Sequence, residues 1–122
     1  MPKILIVEDD PFLSEMYATK LAQENIGVEL AIDGKEALKK IIEIKPDVVL
    51  LDIVLPKMDG FEVLKKIKED PALADIKIIA LTNLGQKEEV EKGLNLGADD
   101  YIIKAHFTPT EVINKVKEIL AN

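Results

Sequence analysis

Short apolar runs alternate along this chain with longer segments of helical period, a pattern typical of a parallel sheet covered by helices on both faces. The runs predict five strands, at residues 3–7, 28–31, 47–51, 77–81 and 101–103. Most runs are apolar at consecutive positions, so we expect strands that are buried on both faces. This pattern disfavours an antiparallel sandwich. The length of 122 residues predicts a single domain over residues 1–122.

The helical segments carry recognisable start signals. Thr108, Pro109 and Glu111 form a capping box with proline at the first helical position. An apolar stripe follows it, made of Val112, Ile113, Val116, Ile119 and Leu120. Asp10 before Pro11 predicts the start of the first helix. Two more starts are predicted where an aspartate is followed three residues later by glutamate, at Asp33 and Asp59.

Two helices carry further expectations about packing. The first helix should turn one side towards the core, formed by Leu13, Met16, Tyr17 and Leu21. Phe12 and Phe61 are also expected to pack in the core. The fourth helix, at about residues 86–96, contains Gly93, and a glycine inside a helix costs about 1 kcal/mol relative to alanine. We therefore expect the fourth helix to be the mobile one.

The composition excludes several classes of function. The chain has no cysteine, which excludes disulfide frameworks, zinc–thiolate sites and cysteine catalysis, and which suits a reducing cytoplasm. The apolar runs are far shorter than the roughly 20 residues that cross a bilayer. The first run stops at Glu8-Asp9-Asp10, unlike a signal peptide. The net charge of −7 disfavours contact with nucleic acid or an anionic membrane, so small cations and basic protein surfaces are the expected partners.

Polar side chains follow four of the five apolar runs directly. Glu8 and Asp9 follow the first run, Asp52 the third, Thr82 the fourth and Lys104 the fifth. Ligands of open parallel sheets bind beyond the carboxyl ends of the strands, and right-handed crossovers bring those ends to one edge. We therefore expect three carboxylates, a hydroxyl and an ammonium group to share one pocket, a set that suits phosphoryl transfer.

The three carboxylates repel one another, and unless a cation neutralises them some should bind protons at a raised pKa. A hard divalent ion is the natural solution, because all the available ligands are oxygens and Mg²⁺ prefers oxygen coordination. Asp52 would then act as a nucleophile towards phosphorus. Lys104 would hold a phosphoryl oxygen electrostatically, and Thr82 would donate a hydrogen bond to another.

From residue 3 to residue 120 the chain resembles the response regulator receiver domains of two-component signalling. The resemblance rests on Glu8-Asp9, on the run from Asp52 to Gly60, on Thr82, and on Tyr101 three residues before Lys104. It implies a flavodoxin-like doubly wound sheet of order 2-1-3-4-5. It also implies that Asp52 is the phosphoacceptor and that Mg²⁺ is bound by Asp9 directly, by Glu8 through water and by the backbone carbonyl of Val54.

The same resemblance implies a signalling mechanism. The phosphoryl group would come from a phosphohistidine of a sensor kinase or phosphotransfer protein. Thr82 and Tyr101 would form the switch, and the face made by the fourth helix, fifth strand and fifth helix would report it to a protein target. The chain ends with the fifth helix, so we expect no DNA-binding or enzymatic output domain. We expect either a monomer or a dimer formed on phosphorylation, and either a free-standing regulator or a fragment of a longer one.

Two residues depart from the family pattern. Ala105 stands where the family usually has a proline joined through a cis peptide, and a cis bond before alanine would cost about 3 kcal/mol. Either the bond is cis and strained, or Lys104 approaches the site differently. Asn83 stands where the family more often has a smaller residue, so access to the phosphoryl group would be narrowed. His106, the only histidine, is expected on the loop surface.

The sequence disfavours three alternative functions. An interaction module with a vestigial pocket is disfavoured because the expected carboxylate, hydroxyl and ammonium side chains of the pocket are all retained. A flavin carrier would need a Ser/Thr/Gly-rich phosphate loop after the first strand, where this chain has carboxylates. An aspartate-based phosphatase would need a second aspartate two residues after the nucleophile, where Val54 stands.

Overall fold

The computed structural model describes residues 2–121, which form one five-stranded parallel sheet with helices on both faces. The strands are β1 (Lys3–Val7), β2 (Gly27–Ala31), β3 (Val48–Leu51), β4 (Lys77–Thr82) and β5 (Asp100–Ile103). The helices are α1 (Pro11–Ala22), α2 (Gly34–Ile44), α3 (Gly60–Glu69), α4 (Lys87–Asn95) and α5 (Pro109–Ala121), with a 3₁₀ turn at Lys104–His106. The order is β2-β1-β3-β4-β5, so the predicted fold and order are confirmed.

Each predicted strand differs from the observed one by at most one residue at either end. The clearest difference is at Asp47, which was predicted to open β3 but lies just before it. Its carboxylate accepts a hydrogen bond from the Lys3 backbone N–H at 2.8 Å, and its own N–H donates to the Lys3 carbonyl, also at 2.8 Å. Asp47 therefore ties the start of β3 to the start of β1.

The core lies in two layers, one on each face of the sheet. On one face the sheet packs against α2 and α3 through buried residues that include Leu5, Val49, Ile78, Ala37, Ile41, Val63, Leu64 and Ile67. On the other face it packs against α1 and α5 through residues that include Ile4, Leu50, Ile79, Tyr17, Leu21, Val112 and Val116. The central strands are buried on both faces, as consecutive apolar residues predict.

The edge strand β2 does not follow that expectation. Glu29 and Leu30 are exposed, and only Ala31 is buried in this strand. β2 has a single neighbour in the sheet, β1, so its side chains lie at the rim of both helical layers. A run of apolar residues alone could not distinguish this edge strand from a central one.

The predicted caps are all present. The side chains of Asp10, Asp33 and Asp59 accept hydrogen bonds from the backbone N–H groups that open α1, α2 and α3. In α5 the Thr108 hydroxyl accepts from the Glu111 N–H at 3.2 Å, and the Glu111 carboxylate accepts from the Thr108 N–H at 2.9 Å. This reciprocal pair fixes the helix start and lowers the pKa of Glu111.

Two expectations about the first helix are wrong. Phe12 is 81% exposed and Met16 is 38% exposed, whereas Tyr17 and Leu21 are buried. The reason is that α1 rests on the sheet through a narrow stripe, which includes the small Ser14. Phe61 is partly buried against the core, and the Lys92 ammonium lies 4.5 Å from the centre of its ring.

Within the part of the chain that the structure covers, no helix has the length and apolar character needed to cross a membrane.

Candidate functional site

Three acidic side chains meet at the carboxyl edge of the sheet. Glu8 follows β1 and Asp52 follows β3, and these strands are paired up to Val7 and Leu51. The pairing continues one step, because the Asp52 N–H donates to the Val7 carbonyl at 3.0 Å. One carboxylate oxygen each from Glu8, Asp9 and Asp52 lies within 4.8 Å of the others. Glu8 and Asp52 are buried and Asp9 is exposed, so the cluster opens to solvent on one side.

Lys104 brings a positive charge to the acidic cluster. It begins the 3₁₀ turn after β5, and its Nζ donates to Asp52 Oδ2 at 2.9 Å and also to Glu8 Oε1. The ammonium group is largely shielded from solvent, with a side chain that is 13% exposed. Three carboxylates thus face one ammonium, and the cluster keeps a formal excess of negative charge if all four groups are ionised.

Burial perturbs the protonation of two of these groups. The pKa of Glu8 is raised to about 7, first by burial and further by the charge of Asp52, although Lys104 acts against the rise. Burial alone would lower the pKa of Lys104, but its hydrogen bonds to Glu8 and Asp52 raise that pKa above the ordinary value. Lys104 therefore stays charged near neutral pH, while Glu8 is partly protonated. The predicted raised pKa in the cluster is found at Glu8.

The carboxylate oxygens of the cluster are suitable ligands for a hard cation. Every available ligand atom is an oxygen, and the acidic groups outnumber the single ammonium, so a divalent cation would relieve the repulsion. One carboxylate oxygen of Glu8 accepts a hydrogen bond from Lys104, and the other accepts one from the Asp10 N–H at 3.3 Å. The Asp9 side chain, in contrast, is exposed to solvent. Val54, which is predicted to offer its carbonyl, lies two residues beyond Asp52, and its N–H donates to Asp52 Oδ1 at 3.1 Å.

Thr82 and Tyr101 share one backbone partner, Leu84. Thr82 ends β4, is 1% exposed and stands in register with Ile103, the residue before Lys104. Its hydroxyl oxygen accepts a hydrogen bond from the Leu84 N–H at 3.4 Å. The Tyr101 hydroxyl donates to the Leu84 carbonyl at 2.7 Å. The two predicted switch residues are therefore connected through a single peptide segment.

The Tyr101 ring explains why Gly93 is present in α4. A Cβ atom added at Gly93 would lie 2.8 Å from both Cδ2 and Cε2 of that ring. Glycine therefore lets the half-buried ring lie directly against the helix. Burial, the charge of Glu89 and the charge of Asp52 together raise the pKa of Tyr101. The sequence identified Gly93 only as a weak point of the helix and gave no sign of this contact.

A second glycine contact lies beneath Asp52. Gly60 opens α3, and its N–H donates to the Ile53 carbonyl at 2.7 Å. A Cβ atom at Gly60 would lie 2.4 Å from the Asp52 carbonyl oxygen and 2.5 Å from Ile53 Cα. Only glycine permits this approach of the helix start to the segment that carries Asp52. Sequence reasoning included Gly60 in a motif without finding its role.

The two departures from the family pattern meet in space. No peptide bond among residues 2–121 is cis, and Lys104 still reaches Asp52, so Lys104 takes its position with a trans bond before Ala105. The Ala105 N–H donates to Asn83 Oδ1 at 3.1 Å. The predicted narrowing of access by Asn83 is not tested by this contact and stays a prediction. His106 is exposed in the 3₁₀ turn, as expected.

Comparison with known proteins places this geometry in a family. The family model described as the response regulator receiver domain matches residues 4–117. The DNA-binding dual master transcriptional regulator RpaA of Synechocystis is 38% identical over 98% of this chain and 49% of its own length. The alkaline phosphatase synthesis transcriptional regulatory protein PhoP of Bacillus subtilis is 41% identical over 97% of this chain and 48% of its own length. The chain thus spans about half the length of these curated relatives.

Solved structures agree with the sequence relatives. A CheY-like response regulator receiver domain protein from Methanospirillum hungatei superposes with a TM-score of 0.91 at 35% sequence identity, over 99% of this chain and 94% of that one. The same five-stranded architecture is therefore shared from end to end.

Proposed function

Because this chain belongs to the family of response regulator receiver domains, we propose that it is a phosphorylation-activated signalling switch with Asp52 as its phosphoacceptor. The observation that carries the proposal is the Lys104 ammonium 2.9 Å from the buried Asp52 carboxylate, beside the acids Glu8 and Asp9. A buried nucleophile, a cation and a group of metal-binding oxygens are the parts that phosphoryl transfer needs. We assign residues 1–122 to one receiver domain.

We propose Mg²⁺ as the cofactor. Asp9 and Asp52 would bind it directly, Glu8 through a water molecule, and Val54 through its backbone carbonyl. When bound, the ion neutralises the acidic cluster and offsets charge on the phosphoryl oxygens. The excess of carboxylates over ammonium groups in the pocket supports this assignment.

In the proposed reaction a carboxylate oxygen of Asp52 attacks the phosphorus atom of a phosphohistidine. The O–P bond forms as the N–P bond breaks, and the imidazole nitrogen leaves with the bonding electron pair. Lys104 holds one phosphoryl oxygen by its charge, and the Thr82 hydroxyl donates a hydrogen bond to another. These roles make the chain a phosphoacceptor that promotes gain and loss of its own phosphoryl group, and not an enzyme acting on a separate substrate.

We further propose that the switch works through Leu84. The Leu84 N–H donates a hydrogen bond to the Thr82 hydroxyl, and the Leu84 carbonyl accepts one from the Tyr101 hydroxyl. When Thr82 turns towards a phosphoryl oxygen, its contact with Leu84 changes, and Tyr101 is released to rotate. The α4–β5–α5 face, which contains Tyr101, would transmit this change to a protein target.

The proposed partners follow from the proposed role of the chain as a phosphorylation-activated switch. A sensor histidine kinase or a phosphotransfer protein supplies the phosphoryl group, and a downstream protein binds the α4–β5–α5 face. The net charge of −7 argues against direct contact of this chain with nucleic acid or an anionic membrane. The chain would act as a monomer or as a dimer formed on phosphorylation.

The decisive experiment is incubation with acetyl phosphate and Mg²⁺, followed by intact mass spectrometry. We expect the mass of one phosphoryl group to be gained by the wild type and by Asp75→Asn, an exposed aspartate at the opposite end of the sheet. Asp52→Asn should gain none. A wild type that gains no mass would favour the alternative, an interaction module with this fold that is not phosphorylated. A gain that persists in Asp52→Asn would refute the assignment of the phosphoacceptor.

A further inference from the structure

Two segments that leave the sheet side by side are joined by one side chain. Asn83 directly follows Thr82, and Ala105 directly follows Lys104. Asn83 Oδ1 accepts a hydrogen bond from the Ala105 N–H at 3.1 Å. This hydrogen bond therefore joins the segment that carries the Thr82 hydroxyl to the segment that carries the Lys104 ammonium group.

The hydrogen bond lies where the regular pairing of the sheet stops. The register of β4 with β5 runs from Ile79 opposite Asp100 to Thr82 opposite Ile103. The next residue of the second segment, Lys104, enters a 3₁₀ turn and leaves the extended conformation. Asn83 thus extends the connection between the two segments beyond the last backbone pair, using a side-chain oxygen in place of a backbone carbonyl.

Lys104 depends on accurate placement of its backbone. Its ammonium group must reach both Glu8 and Asp52, which follow two other strands. The 3₁₀ turn has its own closing hydrogen bond, from the Phe107 N–H to the Lys104 carbonyl, but at 3.3 Å this bond is long. The Asn83 contact fixes the peptide plane between Lys104 and Ala105 from the side of β4, and so it limits the directions in which the Lys104 side chain can leave the backbone.

We propose that Asn83 is a positioning residue for Lys104, acting through the Ala105 N–H to hold the ammonium group on the acidic cluster. The proposal deepens the proposed function, on which its kinetic part rests. It requires an acceptor at position 83 and a residue with a backbone N–H at position 105, and this chain supplies both. A proline at position 105 would lack the donor.

The expected effect is moderate because both partners are exposed and water can replace the lost contact. Asn83→Ala should slow phosphorylation of Asp52 by acetyl phosphate about three- to tenfold, the range that corresponds to one hydrogen bond, and we expect this loss to outweigh any wider access that the smaller side chain gives. Asn83→Asp keeps an oxygen acceptor of the same length and should restore the contact. The matched control is Asn114→Ala, which removes an exposed asparagine on α5.

The first test uses the unphosphorylated protein and needs no phosphoryl chemistry. In NMR spectra of Asn83→Ala we expect the Ala105 amide proton to become more sensitive to temperature and the Lys104 ammonium signal to broaden by exchange with water. Asn83→Asp should keep the wild-type Ala105 behaviour, and Asn114→Ala should leave both residues unchanged. An unchanged Lys104 signal in Asn83→Ala would overturn the proposal, even if the Ala105 amide responds.

The second test measures the rate of phosphorylation in the same variants. A slower rate in Asn83→Ala with recovery in Asn83→Asp supports positioning, and equal rates in all variants refute it. A wild type that is never phosphorylated would refute the proposed function alone. The NMR comparison would then still decide whether Asn83 positions Lys104.

Discussion

Replacement of the buried Glu8 by glutamine should change the pH dependence of stability in a predictable direction. The pKa of Glu8 is raised from 4.5 to about 7 in the folded protein, first because of burial. Below about pH 4.5 the carboxyl group is protonated in both the folded and the unfolded chain. Between the two pKa values only the unfolded chain releases its proton, so the free energy of unfolding falls as pH rises.

The magnitude follows from the size of the shift. Each unit of pKa difference corresponds to about 1.4 kcal/mol, so the rise from 4.5 to about 7 makes the wild type lose about 3 kcal/mol of stability because of Glu8. The neutral glutamine has nearly the same shape and can still accept a hydrogen bond from Lys104, but it cannot ionise. Relative to the wild type, Glu8→Gln should therefore gain about 2 kcal/mol between about pH 5 and about pH 8.

The assay is urea unfolding of both proteins at several pH values in the presence of a metal chelator. At each pH the unfolding free energy of the wild type is subtracted from that of the variant, so the contributions of titrating groups that both proteins share cancel. Glu43→Gln, an exposed glutamate of α2, serves as the control and should show a difference that does not depend on pH. If the difference for Glu8→Gln is equally flat, or if it falls with rising pH, the reasoning about burial of this carboxylate is refuted.

Three further variants test other contacts of the site. Gly60→Ala should lower the free energy of unfolding by about 3 kcal/mol in thermal or urea unfolding, because the new Cβ would overlap backbone atoms that cannot move independently. Gly93→Ala should destabilise by about 1 kcal/mol despite its better helix propensity, and should change the near-ultraviolet circular dichroism of Tyr101, whose ring it displaces. Lys104→Met should bind Mg²⁺ about tenfold more tightly by titration calorimetry, since a competing charge is removed, yet should be phosphorylated more slowly by acetyl phosphate.

The architecture could be read from the sequence because its signals are local. Consecutive apolar residues mark the buried central strands, and aspartate caps such as Asp10 and Asp33 mark where helices begin. The convergence of Glu8, Asp52 and Lys104 followed from the rule that the carboxyl ends of parallel strands share one edge. These inferences needed the strand order and direction only, and no knowledge of side-chain packing.

The contacts that sequence reasoning missed depend on distances between segments far apart in the chain. Nothing near Gly93 in the sequence indicates that the ring of Tyr101 lies against it. Exposure of Phe12 likewise depends on how α1 is rotated about its axis, which a mixed apolar and polar pattern does not fix. Asn83 and Ala105 each looked like an independent departure, and only the fold shows that they are bonded to each other.

The behaviour of Glu8 also connects stability to the proposed metal site. The cause of its raised pKa is burial among groups that do not fully neutralise it, so a divalent cation in the cluster should favour its ionised form. With saturating Mg²⁺ the pKa of Glu8 should fall, and the pH dependence that distinguishes the wild type from Glu8→Gln should shrink. Carboxyl ¹³C NMR of Glu8, titrated with and without Mg²⁺, measures this directly. A titration midpoint that stays near 7 in saturating Mg²⁺ would mean that the ion does not interact with this carboxylate, either directly or through water.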